Sequence, residues 1–506
     1  MIHFIRGTWL DYQVNLMKKR NIAFLCLLLF LSFGFYPVPE DGYFTLSIAG
    51  HLGEYNSAWM AVTYCFLTTI VMLFFGFYFM KGGISEDRQS LRGKLIASSH
   101  ICNVEYLSQK TLSCFLVLAT MTFIGLLCAI ALNLLMYTKY PFELGAFSVP
   151  FLVLLLPQAL LCAAFCTLFD AHPKLSGAVG NVTYFFVFVA ILGALEGNIP
   201  GFVELTEQIR THLPQEALSR SNLNVGMMID SEENLRAMPT IFWSGLVLNA
   251  SVLNDCMVSL LMSAGIVILA SFVFDRFALE PKVDTHNAKT SRWPSVKSVF
   301  FPNLFIKSTA LRLFLCEVNL AAKQVNPTLW IVLLAMNFAI LLVQDNAITT
   351  VMIGIVFLLN LGVLGKVGVR EEVSKINLVL NYLPTSSSLR LLLQVLATWL
   401  FVCSTQLGSL LWLGVNLTLL HSVYCLIGVL MWVNLSMLLG TSFKNRHIFD
   451  LLFLFVWYLG PMNGLSQLDF IGITTLVDAK SVMLLSLASV AMVCITMVLR
   501  KFRVYV

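Results

Sequence analysis

Ten stretches of this chain contain no Asp, Glu, Lys or Arg, and each is long enough to cross a lipid bilayer. Crossing about 30 Å of hydrocarbon takes about 20 apolar residues in a helix. The stretches at 58–80, 111–137, 144–169, 175–195, 256–274, 325–343, 347–365, 451–468 and 481–499 meet that length once each. The tenth, 391–443, has 53 residues. As one helix it would extend roughly 80 Å at 1.5 Å per residue, so it reads as two spans turning near 414–416. The run at 21–38 follows Lys18, Lys19 and Arg20. It is longer than a signal's apolar region and no small-residue cleavage pattern follows, so it reads as a retained first helix. The chain is 58% hydrophobic and 12% charged, with a mean hydropathy of +0.83. A soluble protein carries about 25% charged residues. The expected fold is an all-α polytopic membrane protein with about twelve transmembrane helices, and lipid is the solvent that suits it.

The distribution of basic residues sets the expected orientation. With the amino terminus inside, 27 of the 32 Lys and Arg fall in inside segments. The five outside are Lys139, Arg210, Arg220, Arg236 and Lys480. Both termini are then cytoplasmic. A first six-helix half covers 1–274, with an exported loop at 196–255; a cytoplasmic linker and elbow helix cover 275–324; a second six-helix half covers 325–506. The exported loop has eight acidic and three basic side chains. Its Phe202, Leu205, Ile209 and Leu213 have helical spacing. The two halves read as a direct repeat. Val-Asn-Leu stands at 14–16 and again at 318–320, equally placed before a span, and a charged cluster follows the second span of each half: Glu86, Asp87 and Arg88, then Arg370, Glu371 and Glu372.

No catalytic constellation emerges, and no cofactor or metal site. The Gly-Lys pairs at 93–94 and 365–366 lack the rest of a phosphate-binding loop, so this chain is not expected to bind ATP in that way. The eight histidines are dispersed, and the twelve cysteines lie mostly inside apolar runs as packing residues. Ion-coupled carriers usually place charge within their spans. Here the spans offer Asn133, Gln158, Asn360, Gln394, Gln406 and Asn434 instead. For each of these, interhelical hydrogen bonding is weighed against contact with a transported molecule. The charged segments after the second and eighth spans read either as solvated loops or as helices that receive force from a soluble partner.

These features resemble the type-2 ABC transporter permeases: paired sets of six helices, an elbow helix before each set, and a segment of the form Arg-Glu-Glu…Leu-Pro…Ser. Val369-Arg370-Glu371-Glu372 followed by Leu383-Pro384-Thr385-Ser386-Ser387 is the nearest correspondence. In the first half, Glu86-Asp87-Arg88 is followed by Leu95-Ile96-Ala97-Ser98-Ser99, with Tyr106 and Lys110 before the third span and no proline. The resemblance implies an exporter permease in the cell (inner) membrane, moving an amphipathic or hydrophobic cargo such as a peptide, lipid or drug-like compound. It implies separate ATPase subunits, two per chain, docked on Glu86, Asp87, Arg88, Arg370, Glu371 and Glu372. ATP would act through those partners, and nucleotide-driven closure would rock the two halves. Membrane lipid is the other expected partner; a periplasmic adaptor is left open, and no nucleic acid is expected. The alternative is a major-facilitator transporter, whose loop signature Gly83…Asp87-Arg88 matches in its first part before Ser90 replaces a glycine.

Overall fold

The computed structural model describes residues 2–41, 43–89, 91–137, 139–173, 175–194, 202–213, 223–229, 232–275, 308–325, 327–343, 345–373, 386–462, 464–473 and 477–503. The protein is predominantly helical. Among the described residues, eight helices are long and apolar enough to cross a membrane: Ser57–Arg88, Asn103–Met136, Leu144–Ala171, Ala250–Val273, Ile348–Val367, Ser387–Thr405, Leu419–Phe443 and Ala479–Lys501. Shorter apolar helices cover Ala178–Ala190, Leu329–Leu342, Leu407–Asn416 and His447–Met462. The uncharged run at 391–443 is not one helix: it breaks at Gln406, between Ser387–Thr405 and Leu407–Asn416, and, near the expected turn, leaves its helix after Asn416 and re-enters at Leu419. The first apolar helix, Lys19–Phe33, is shorter than the run at 21–38 suggests. Gly34, Pro37 and Pro39 follow it, and proline neither donates to a helix nor lets its predecessor stay helical.

Among the described residues, three helices carry one wide π-turn each, at Met72–Gly76, Phe151–Leu155 and Tyr458–Met462. Prolines explain two of them. Pro150 and Pro157 bracket the second, and Pro461 lies in the third; a wide turn absorbs the hydrogen bond that proline cannot make.

Sequence periodicity gave no hint of a four-stranded sheet ordered β3-β1-β2-β4. It joins β1 (Tyr43–Ile48) and β2 (His51–Gly53) to β3 (Leu223–Ile229) and β4 (Thr240–Ile241) from the expected exported loop. The β1–β2 hairpin turns at Ala49 and Gly50, both with positive φ (50° and 79°), the pattern of a tight hairpin turn. In the same loop the helix Val203–Arg210 forms as its spacing predicts, with Phe202, Leu205, Ile209 and Leu213 all buried.

The chain forms two compact units, residues 1–176 with 183–283, and residues 177–182 with 284–506. One order of packing occurs in both. In the first unit the helix Ile2–Leu16 lies along Asn103–Met136, which packs on Leu156–Ala171, which packs on Ala250–Val273. In the second, Thr309–Lys323 lies along Ser387–Thr405, which packs on Leu419–Phe443, which packs on Ala479–Arg503. The elbow helix of each unit therefore meets the same span in the order of the repeat.

Candidate functional site

The charged segment after the second span of the first unit is fastened from several sides. Lys110 Nζ lies 2.7 Å from Asp11 Oδ2 of the elbow helix and 2.7 Å from Asp87 Oδ2. Tyr106, one turn before Lys110 and so on the same helix face, donates its hydroxyl to Asp87 Oδ2 at 2.8 Å. Asp170, at the end of the helix Leu156–Ala171, accepts from the backbone N–H of Ile84 (2.6 Å) and Ser85 (3.1 Å) and from the Ser85 hydroxyl. It thereby caps the first turn of the short helix Gly83–Gln89, whose donors have no partner inside the helix. Arg88 donates to the Ala171 carbonyl. Glu86 pairs with Lys18 and, at 3.2 Å, with Arg20. Burial, followed by the nearby Arg20, lowers the Lys18 ammonium pKa, and Glu86 opposes that shift.

The second unit builds an analogous network from equivalent elements. Arg370 pairs with Glu317 of the elbow helix. Glu371 Oε2 lies 3.5 Å from Arg500 Nη1 on the last helix. Gln394 sits between them, donating to Glu371 and to Glu317 Oε1 (3.5 Å) and accepting from Arg500 (3.2 Å). The side chain of Glu372 and the sequence at 383–385 lie outside the described residues. Of the six charges expected to dock a partner, Asp87 is buried, and Asp87, Arg88, Arg370 and Glu371 are engaged within their own unit. Glu86 is about half exposed, at 49%. Beyond it, Arg92 and Leu95 project outward.

The polar residues expected to line a transport path are mostly engaged with neighbouring helices of their own unit. Gln394 belongs to the charge network. Asn133 accepts from Ser57 (3.2 Å), Gln158 donates to Ser259 (3.0 Å), Asn360 accepts from Thr405 (2.9 Å) and Asn434 donates to Ser489 (2.7 Å). Each of these bonds ties one helix to another. Gln406 differs: it is fully buried at the break between two helices, and neither amide atom has a partner. Sequence reasoning missed Asp450, which is fully buried within the helix His447–Trp457 and accepts from Asn181 Nδ2 at 2.6 Å and Arg446 Nε at 3.3 Å. Its signal was its place immediately before the uncharged run at 451–468.

On the opposite side of the expected topology, the first unit contains a cavity of about 690 Å³. Its wall includes Tyr43, Tyr55, Trp59, Tyr137 and Tyr140, and Glu54, Lys139 and Arg236 also line it. Tyr55 and Tyr137 meet edge to face with ring centres 4.9 Å apart. The hydroxyls of Tyr43, Tyr55 and Tyr137 are turned to the backbone carbonyls of Gly34, Pro37 and Tyr36. Burial pushes the Tyr43 and Tyr55 phenols above the ordinary value of 10.0, with Asp41 adding to the rise. The fold therefore holds their protons more tightly than the unfolded chain does. That stabilisation is whole below pH 10 and is lost as pH rises through the folded values. Ultraviolet titration should show these tyrosinates forming only with alkaline unfolding, and Tyr55→Phe should make unfolding less steeply dependent on alkaline pH. A phenol titrating normally at this cluster while the fold persists would refute the assignment.

Compared with known proteins, the chain matches no family model, no curated protein and no solved structure.

Proposed function

We propose that the chain is the membrane-spanning permease subunit of an ATP-driven exporter in the cell membrane, with twelve spans, both termini cytoplasmic, and separate ATPase subunits. The observation that carries this reading is the doubled fastening of an elbow helix, the segment after the second span and the third span. In one unit it runs through Asp11, Asp87 and Lys110, and in the other through Glu317, Arg370, Glu371 and Gln394. A segment that must pass force into a bundle needs rigid connections to it, and buried ion pairs supply them where loops would yield. The cargo is amphipathic or hydrophobic, in keeping with spans whose polar groups are mostly used in joining helices.

The internal pairing shifts the expected contact from the segment's buried charges to its outward residues Glu86, Arg92 and Leu95. Leu95 is 70% exposed, and covering it with a partner would remove its apolar surface from water. Leu95→Asp should therefore lower the amount of ATPase co-purified with the permease by about tenfold or more, with helix content and membrane insertion unchanged. Transport by the reconstituted permease should require the ATPase; uptake driven by a proton gradient alone would favour the major-facilitator alternative. The topology has its own test. In a cysteine-free background, Glu233→Cys and Lys94→Cys should react with an impermeant thiol reagent from opposite sides of the membrane. Reaction of both from one side would remove the twelve-span arrangement.

A further inference from the structure

The proposed function leaves the tyrosine-lined cavity of the first unit without a role. Only five of the 32 Lys and Arg residues fall in segments expected outside, yet two of them, Lys139 and Arg236, line this one cavity. They do so beside a loop whose own charge is predominantly acidic. Each is held by an exposed ion pair: Lys139 with Glu54 at 3.1 Å and Arg236 with Glu40 at 2.8 Å. The two cations are 73% and 58% exposed. Pairs this exposed add little to stability, so both cations can turn to an incoming anion. Lys139 Nζ also sits 5.0 Å from the centre of the Tyr140 ring, a position that a cation holds weakly at a wet surface.

The wall behind them has the opposite character. Tyr43, Tyr55 and Tyr137 spend their hydroxyls on the backbone, which leaves ring surface to face a ligand. The volume, about 690 Å³, falls within the range of about 300–1,000 Å³ typical of small-ligand sites. A tyrosine- and tryptophan-rich level is also where a membrane protein meets lipid headgroups. We infer that this cavity binds an anionic amphiphile, with its hydrocarbon against the aromatic wall and its negative group at Lys139 and Arg236. The site lies within one unit and needs no ATPase, so its test is separable from that of the transport reading.

The purified full chain in neutral detergent would be titrated calorimetrically with lysophosphatidylglycerol, lysophosphatidylcholine and glycerol phosphate. Saturable one-site binding is expected for the first and affinity about tenfold or more weaker for the second, because only the first presents net negative charge. Glycerol phosphate, lacking a chain, should show no saturable binding. Lys139→Gln with Arg236→Gln should weaken the anionic amphiphile by about tenfold or more and leave the zwitterionic one unchanged. Met238→Trp, which fills the cavity lined by Met238, should weaken both. Equal affinity for the two lysolipids, an unaffected double variant, or an unaffected Met238→Trp would overturn the proposal. Equal binding of glycerol phosphate would mean a free-anion site and would overturn it as well.

Discussion

Lys110→Ala is expected to destabilise the first unit by about 3–5 kcal/mol, because it takes the shared cation from between two largely buried carboxylates. The side chains of Lys110, Asp11 and Asp87 are only 13%, 21% and 6% exposed. Little water remains to replace the ammonium, and the Tyr106 hydroxyl cannot neutralise Asp87 by hydrogen bonding alone. Arg92→Ala is the matched control: its guanidinium lies 3.9 Å from the same Asp11 but is 61% exposed. Its loss should stay within about 0.5 kcal/mol. The triple variant Asp11→Asn, Asp87→Asn and Lys110→Met should recover much of the loss, since it removes both carboxylate charges together with their partner. Thermal unfolding of the purified proteins in one detergent would rank the four. A Lys110→Ala protein as stable as Arg92→Ala would show that the network does not hold the segment.

Hydropathy found the long apolar helices because the bilayer allows few solutions: a long uncharged run must be a helix whose backbone satisfies itself. Even the division of 391–443 was readable, since helical rise alone forbids one span of that length. The sheet was not. Its β1, Tyr43–Ile48, is buried at all but its first residue, so it lacks the alternation that marks a half-buried strand. Its partner β3 begins at Leu223, far along the chain, so that pairing leaves no local signal. The charge networks were half legible. The clusters at 86–88 and 370–372 stood out, but their partners Arg20, Lys110, Glu317 and Arg500 come from other helices, and spacing along one chain does not report which helices meet. Gln394 left two readings open for that reason. A polar residue near the end of a span looks the same in sequence whether it faces a path or a neighbour's carboxylate. The repeated Val-Asn-Leu has a physical account in the first unit, where Asn15 donates to Ser113 across the contact between elbow and third helix.

Gly440→Ala is expected to be strongly disruptive to the second unit. A Cβ at Gly440 would stand 2.2 Å from the backbone carbon of Gly368, and one at Gly368 would stand 1.9 Å from the Ser436 carbonyl oxygen. Both obstacles are backbone, so no side chain can swing aside and the helix Leu419–Phe443 would have to move away from Leu361–Val367. Overpacking of this kind costs about 1–3 kcal/mol. The hydrogen bond from the Ser436 hydroxyl to the Leu364 carbonyl, which spans the same crossing, would add about 1 kcal/mol if broken. Gly362→Ala is the contrast, on the same helix as Leu364: a Cβ there meets nothing within 4 Å, and the helix-propensity gain should stabilise by roughly 0.5–1 kcal/mol. Opposite signs for two Gly→Ala changes in one unit separate close backbone crossing from general sensitivity of the bundle. Arg370 lies just beyond Gly368, so a displaced crossing should also part Arg370 from Glu317. Gly440→Ala should then lower stability and ATPase co-purification together, whereas Leu95→Asp should lower co-purification alone. Should Gly440→Ala unfold no more readily than the native protein, the crossing is looser than these distances state, and the second unit's segment is held by its charges without help from the helices beneath it.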